Sequence, residues 1–196
     1  MNWAKKSTLV VMLSSSLLLT GCGYNTLQAK DEAVTAAWSD VENQYQRRAD
    51  LVPNLVNVVK GYAKHEQTVL TDVTEARSNV AGLKVDKQVL EDPALFQKYQ
   101  QAQAQLTGAL SRLIAVSENY PDLKANQQFL DLQAQLEGTE NRIAVSRNRY
   151  IGSVQDYNTY VRQFPQVVTA KVIGMKPKAN FSADAGAEKA PKVSFE

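Results

Sequence analysis

The stretch Gln46-Arg47-Arg48-Ala49-Asp50-Leu51-Val52-Pro53-Asn54-Leu55-Val56 decides the fold, because its proline is either a turn between two helices or a kink within one. Proline costs ~3 kcal/mol inside a helix and is welcome at the first turn. On either side the apolar residues keep helical spacing. Val34, Trp38, Val41, Tyr45 and Val52 precede it, and Leu55, Val59, Tyr62, Val69 and Val73 follow. This register passes through Pro53 almost unbroken, which favours one long kinked helix. Length argues the other way. Residues 25–50, 53–81 and 93–119 would each be ~40 Å long and match as consecutive legs of a bundle, whereas one helix over 25–81 would run ~85 Å with little to cover its far end. Val52, just before the proline, is also biased towards an extended backbone. The turn is the favoured reading. It sets Trp38 and His65 on adjacent legs ~10 Å apart, and the kinked alternative separates them by ~40 Å.

Outward from this stretch, Pro93, Pro121 and Pro165 read as further helix boundaries. Leu95, Tyr99, Ala102, Leu106, Leu110, Leu113 and Val116 form one stripe. Phe129, Leu132, Leu136, Ile143, Tyr150, Val154, Tyr157, Val161 and Phe164 form another. No comparable run alternates in twos, so strands are not indicated. The fold class is all-α: a long antiparallel up-and-down bundle of four helices over residues 22–165, with the first two fused if Pro53 is only a kink. Glu91-Asp92-Pro93 places acid at a helix start. Asn119-Tyr120-Pro121-Asp122 reads as an interhelical turn, and residues 82–91 as the longest loop. The stripe fades after Pro165, so residues 166–196 are expected to form an irregular C-terminal tail, loosest around Pro177, Gly186 and Pro191.

The chain has 196 residues, 44% hydrophobic and 21% charged, which suits one domain. A single cysteine and a single histidine exclude an intramolecular disulfide and a nitrogen–sulfur zinc cluster, and no metal or cofactor is expected. Residues 1–21 have the layout of an export signal, with Lys5 and Lys6 ahead of an apolar run over residues 9–19. That run is about half of the ~20 residues that a spanning helix needs. A plain secretory signal, with Cys22 a free thiol, is the simpler alternative. Leu19-Thr20-Gly21-Cys22 resembles the lipobox of bacterial lipoproteins, which implies a diacylglyceryl thioether at Cys22, cleavage before it, and acylation of the new amine, typically with palmitate. One chain holds only marginally and two or more hold stably. Gly23, where lipoproteins kept in the inner membrane often carry Asp, favours the periplasmic side of the outer membrane over the inner membrane. Lys5 and Lys6 are the only charged residues before Cys22, so the rest of the chain balances 20 acidic with 20 basic residues. Neither nucleic acid nor anionic lipid is therefore an expected electrostatic partner.

The stretch from Tyr45 to Val56, followed by Gly61-Tyr62-Ala63-Lys64-His65-Glu66, is similar to the best-known signature of the LemA family. Glu140-Asn141-Arg142-Ile143-Ala144, with Arg147, Arg149, Tyr150, Tyr157-Asn158 and Phe164-Pro165, forms a second match. The resemblance covers most of residues 24–181. Ile151 and Met175 depart from it, standing where the family usually has Asn and Phe. It implies an antiparallel helical bundle at a bacterial membrane, often held by an N-terminal hydrophobic helix that a lipid would replace here. No catalytic residues come with the family.

Among candidate sites, His65-Glu66 lacks the second histidine at i+4 of a zincin helix and reads as a solvated or turn-packing pair. No GxSxG, P-loop or glycine-rich phosphate cradle occurs. Glu140, Ile143, Arg147, Tyr150 and Val154 share one helical face, so Glu140 and Arg147 are candidates for an inward ion pair fixing bundle register, with a binding or switching network as the alternative. Arg47 and Arg48 are candidates to pair with Glu118 or Asp122 at the proposed turn, and Arg47→Ala is expected to destabilise the bundle. The aromatic stripe of Tyr99, Phe129, Tyr150, Tyr157, Tyr160 and Phe164 reads as core. The expected function is a lipid-anchored, non-enzymatic module that scaffolds or regulates an unidentified envelope protein. The runner-up is an envelope hydrolase or ligand sensor built on Glu140, Arg147 and a tyrosine in a polar cavity. Membrane remodelling by an exposed apolar helix face comes third, since the charge balance argues against it.

Overall fold

A computed structural model describes the backbone of residues 3–83 and 87–182, and side chains over 23–83 and 88–182. The elements, all helical, are α1 (Trp3–Tyr62), α2 (Gln67–Ala81), α3 (Lys87–Glu91), α4 (Pro93–Val116), a 3-10 turn (Ser117–Asn119), α5 (Pro121–Lys124), α6 (Gln127–Arg162) and α7 (Gln166–Ile173). No strand occurs among the described residues. The lipid modification expected at Cys22 falls on a side chain outside those described.

The turn expected at Pro53 does not exist: α1 runs through it for 60 residues, and the chain reverses at 63–66 instead. At 1.5 Å per residue α1 is roughly 90 Å long, which puts Trp38 and His65 on the order of 40 Å apart. The reason is a bond from another helix. Pro53 has no N–H to donate to the Ala49 carbonyl four residues back. Arg77 on α2 supplies the missing donor, its Nε–H reaching the Ala49 oxygen at 2.9 Å. The proline's main hydrogen-bonding penalty is thereby removed, and the unbroken apolar register of Val52, Leu55 and Val59 keeps all three in the core.

α1 and α6 form the most extensive helix pair, and α2 and α4 the second. The reversal between α1 and α2 is tied to the opposite corner of the bundle: the Tyr120 hydroxyl donates to Glu66 at 3.1 Å, and the Asn126 amide donates to the Tyr62 oxygen at 2.9 Å. Between Asn119 and Gln127 the expected turn is a compact pair of helical turns, closed by the Asn126 side chain accepting from Phe129 N at 3.0 Å. Asp92 caps α4, accepting from Ala94 N at 2.9 Å and Leu95 N at 3.2 Å. Part of the expected 82–91 loop is instead the short α3, whose Val89 and Leu90 are buried.

The irregular tail expected from residue 166 begins much later. Gln166–Ile173 is helical, ended by Gly174 in the left-handed conformation at φ 76° that glycine adopts without strain. Residues 175–182 then run back along α6 as a strap. Asn158 holds Lys178 from both sides, its amide donating to the Lys178 carbonyl at 2.9 Å and its oxygen accepting from Lys178 N at 2.7 Å. Tyr150 Oη donates to the Ala179 carbonyl at 2.7 Å, and Ala179 N donates to the Leu90 carbonyl at 2.7 Å. Lys178 Nζ lies 3.1 Å from Asp31 and 2.7 Å from Glu91. Met175, a departure from the LemA pattern, packs against the core here. Of the α6 side chains that hold the strap, the apolar period marks Tyr150 as core and does not mark Asn158. The expected tail over 183–196 lies outside the described residues.

The core is in two parts. One joins Leu27, Val34, Trp38, Val41 and Tyr45 of α1 to Phe96 and Tyr99 of α4 and Ile143, Tyr150, Val154 and Tyr157 of α6. Its centre is aromatic: the Trp38 ring lies 5.1–6.3 Å from those of Phe96, Tyr99, Tyr150 and Phe181. The other part joins Val52, Leu55 and Val59 to Leu106, Leu110, Leu113, Phe129, Leu132 and Leu136. What lies between them is polar.

Candidate functional site

Arg48 sits at the junction of the two cores. It follows Tyr45 by three residues and precedes Val52 by four, so it faces inward on α1. It is 1% exposed. A buried guanidinium is tolerable only when paired and hydrogen-bonded, and three groups answer it. Nη1 lies 3.0 Å and 3.3 Å from the two Glu140 oxygens of α6 and 2.6 Å from Thr107 Oγ1 of α4. Nη2 donates to the Gln103 side-chain oxygen. Thr107 passes the network on by donating to the Gln103 carbonyl at 3.1 Å. The Tyr45 ring stacks beside the guanidinium, 5.1 Å from Cζ to centroid.

A cavity of about 140 Å³ opens at this layer, lined by Tyr45, Arg48, Gln103, Glu140 and Arg147 among others. Arg48 Nε and Gln103 Nε2 are buried without a hydrogen-bond partner in the protein. Burial raises the Tyr45 and Tyr99 pKa values above 10.0, opposed only in part by Arg147 and Arg48 at Tyr45 and by the Gln103 side chain and Arg48 at Tyr99, so both phenols are neutral. Glu140, more than a third exposed, forms the outer edge. Beyond it a second, wider groove of about 520 Å³ runs between α4 and α6, with Leu110, Ile114 and Leu136 among its lining, together with Thr107, Ser111, Gln133, Glu137 and Asn141.

Of the four charged residues that the sequence marked, the structure joins Arg48 and Glu140. Arg147 instead lies 4.2 Å from the Phe181 ring of the strap. Arg47 is exposed. Neither Arg47 nor Arg48 meets Glu118 or Asp122 as expected: Arg48 is taken by Glu140, and Glu118 is bound to Lys124. Pro53 is the reason. With α1 continuous, residue 47 stands about 22 Å below the helix end rather than beside a turn. His65 is exposed in the reversal, and Glu66 accepts from Tyr120. Among the described residues no cluster of three or more His, Cys, Asp or Glu could hold a metal ion. Tyr99, Phe129, Tyr150 and Tyr157 are core, Tyr160 is half-buried, and Phe164 is 83% exposed, contrary to its place in the expected core stripe. Gln103 and Thr107 were not legible as site residues. Their one signal is a polar i, i+4 pair set against the apolar stripe of α4.

Comparison with known proteins adds the lineage. The LemA family profile matches residues 37–195. The chain is similar to "Magnetosome protein MamQ 2" of Paramagnetospirillum magneticum, with 27% identity over 85% of this chain and 66% of that protein. It is also similar to "Protein LemA" of Metamycoplasma hominis, with 23% identity over 81% of this chain and 68% of that one. The chain thus spans about two thirds of the length of the curated relatives it matches. Among the described residues, no helix is long and apolar enough to cross a membrane.

Proposed function

Because the chain belongs to the LemA family, we propose that it is a bacterial envelope lipoprotein, tethered through Cys22 and acting as a non-enzymatic protein-interaction module. The α4–α6 groove carries this reading. An apolar floor bounded by polar side chains, between two long antiparallel helices, suits an amphipathic helix laid lengthwise. Glu137 and Glu140 are the charged residues of its lining, so the partner is an envelope protein whose docking helix carries a basic flank. The long α1 suits the same task, because one rigid element runs from the anchored end of the chain past the site. The test is photo-crosslinking in cells from Ser111 and Gln133, with exposed Glu75 on α2 as control. One shared protein adduct from both groove positions and none from the control is expected; no reproducible adduct from either overturns the reading. Palmitate incorporation lost on Cys22→Ser checks the tether, which belongs to the periplasmic side of a membrane, the outer one in preference.

The orphaned donors beside the smaller cavity favour a second reading, a sensor for a small anionic ligand. Arg48, Arg147 and Glu140 leave that cavity with one net positive charge, and Arg48 Nε and Gln103 Nε2 await acceptors. Acetate and inorganic phosphate are the probes. A saturable rise in thermal stability, absent in Gln103→Leu, supports a sensor, and a flat response to both removes it.

A further inference from the structure

We infer that α7 and the residues flanking it form a second membrane contact, a docking face that lays the lower end of the bundle flat on the bilayer; this rests on the membrane-tether reading above. The observation is an apolar patch where a monomeric bundle has no use for one. Phe164 is 83% exposed, Val168 55%, Val172 80% and Ile173 38%. Val168 and Val172, four apart, share one face of α7, and Phe164 is exposed in the turn that leads into it, while Ala170 on the opposite face of α7 is 1% exposed and anchors the helix to the bundle. The helix is thus held in place with its apolar side outward.

Two further facts select a lipid surface as the occupant. The first is position. A Cβ built on Gly23 would meet Gln166 Cγ at 3.8 Å, so α7 lies beside the residue that follows Cys22. Tyr24, next along α1, is itself 45% exposed. Acyl chains on Cys22 would bring the bilayer to this end of the molecule and to no other. The second is charge. From Tyr157 to Ser182 the chain has no acidic residue. Lys178 is taken up by Asp31 and Glu91, while Arg162, Lys171 and Lys176 are exposed around the patch. The chain beyond the signal is neutral as a whole, yet these three basic side chains stand where anionic headgroups would meet them. Short apolar faces rimmed by Lys and Arg bind at the headgroup boundary in this way.

The test uses the full-length protein purified from membranes and reconstituted into vesicles of phosphatidylcholine with phosphatidylglycerol. A polarity-sensitive fluorophore is placed through Val172→Cys or, as control, through Leu130→Cys, an exposed apolar position on the first turn of α6 at the opposite end. Cys22 is the only native cysteine, so acylated protein takes up label at the new site alone. Flotation reports the tether, and quenching by a nitroxide carried near the lipid headgroup reports the patch. Flotation with quenching at 172 about twofold or more above that at 130 is expected, reduced when phosphatidylglycerol is omitted. Flotation with equal quenching overturns the docking face and leaves the tether standing. A blue-shifted label at 172 that lipid nitroxide does not quench shows a protein cover, such as a second copy, and also overturns it. Protein that fails to float overturns the tether and the docking face together.

Discussion

The bond from Arg77 to the Ala49 carbonyl explains why α1 survives Pro53, and it can be isolated by a double-mutant cycle. In the native chain, Arg77→Met leaves that carbonyl without the donor 2.9 Å away. A hydrogen bond to a charged group contributes about 1.5–3 kcal/mol, and because Arg77 is half-buried the lower end applies, about 1.5 kcal/mol. Pro53→Ala restores the backbone N–H that would serve the same oxygen and relieves the ring contact. Against it stands the lost rigidity of the unfolded chain, so the net gain is about 1 kcal/mol rather than the full ~3 kcal/mol of a proline in a helix interior. In the Pro53→Ala background the carbonyl no longer depends on Arg77, and Arg77→Met then costs about 0.5 kcal/mol or less. The coupling energy is therefore about 1 kcal/mol, well outside the few tenths expected of independent sites. Urea unfolding followed by the helical circular dichroism signal measures all four corners. If Arg77→Met costs the same with and without the proline, Arg77 does not substitute for the missing N–H, and another cause must be found for the continuous helix.

Other expectations follow from the polar layer, the strap and the surface. Arg48→Met should cost about 3 kcal/mol, since it strips Thr107, Gln103 and Glu140 of one shared partner, whereas Glu140→Gln, at the solvent edge and still able to accept, should cost about 1 kcal/mol; the reverse order in denaturant unfolding would refute this account of the layer. Arg47→Ala should leave stability within about 0.5 kcal/mol of the parent, against the loss that the sequence suggests, as thermal unfolding will show. Hydrogen bonds to Glu91 and Asp31 outweigh burial and raise the Lys178 pKa above 10.5, and burial raises those of Tyr45, Tyr99, Tyr150 and Tyr157 above 10.0. For all five groups the folded state holds its proton longer than the unfolded chain, so their stabilisation is intact below pH ~10 and is lost as pH climbs through the raised values. Urea midpoints at about pH 9 and about pH 11 should fall between the two, with late tyrosinate absorbance appearing alongside unfolding. Asn158→Ala should release the strap selectively, seen as faster amide exchange at Lys178 with α4 protection unchanged.

The family signature and the helical period were both readable because they are local. Apolar side chains at threes and fours specify an amphipathic helix wherever its partner stands, and Asp92 before Pro93 specifies a helix start by the bonds it makes to its own next turn. The aromatic core was legible for the same reason at Tyr99, Phe129, Tyr150 and Tyr157. It failed at Phe164, which keeps the period but lies beyond the last turn of α6, where no helix faces it. The strap was illegible because residues 175–182 have no periodicity of their own. Their order comes from the side chains of Asn158, Tyr150 and Tyr157, and the apolar period marks only the two tyrosines, as core.

The site divides along the same line. That Glu140 faces inward could be read from its place in an apolar stripe, whereas Arg48 was expected at a turn; that the two meet, with Gln103 and Thr107 completing the shell, depends on which helices adjoin and at what height. Pro53 set that height. What could be read along the chain was the all-helical class, the buried faces of the long helices and the lineage, since the first two rest on interactions within a few residues and the third on contiguous motifs. Tertiary structure alone decided whether one helix or two crossed residue 53, because the donor that makes the proline tolerable sits 24 positions away on α2, and no pattern local to the proline carries that information.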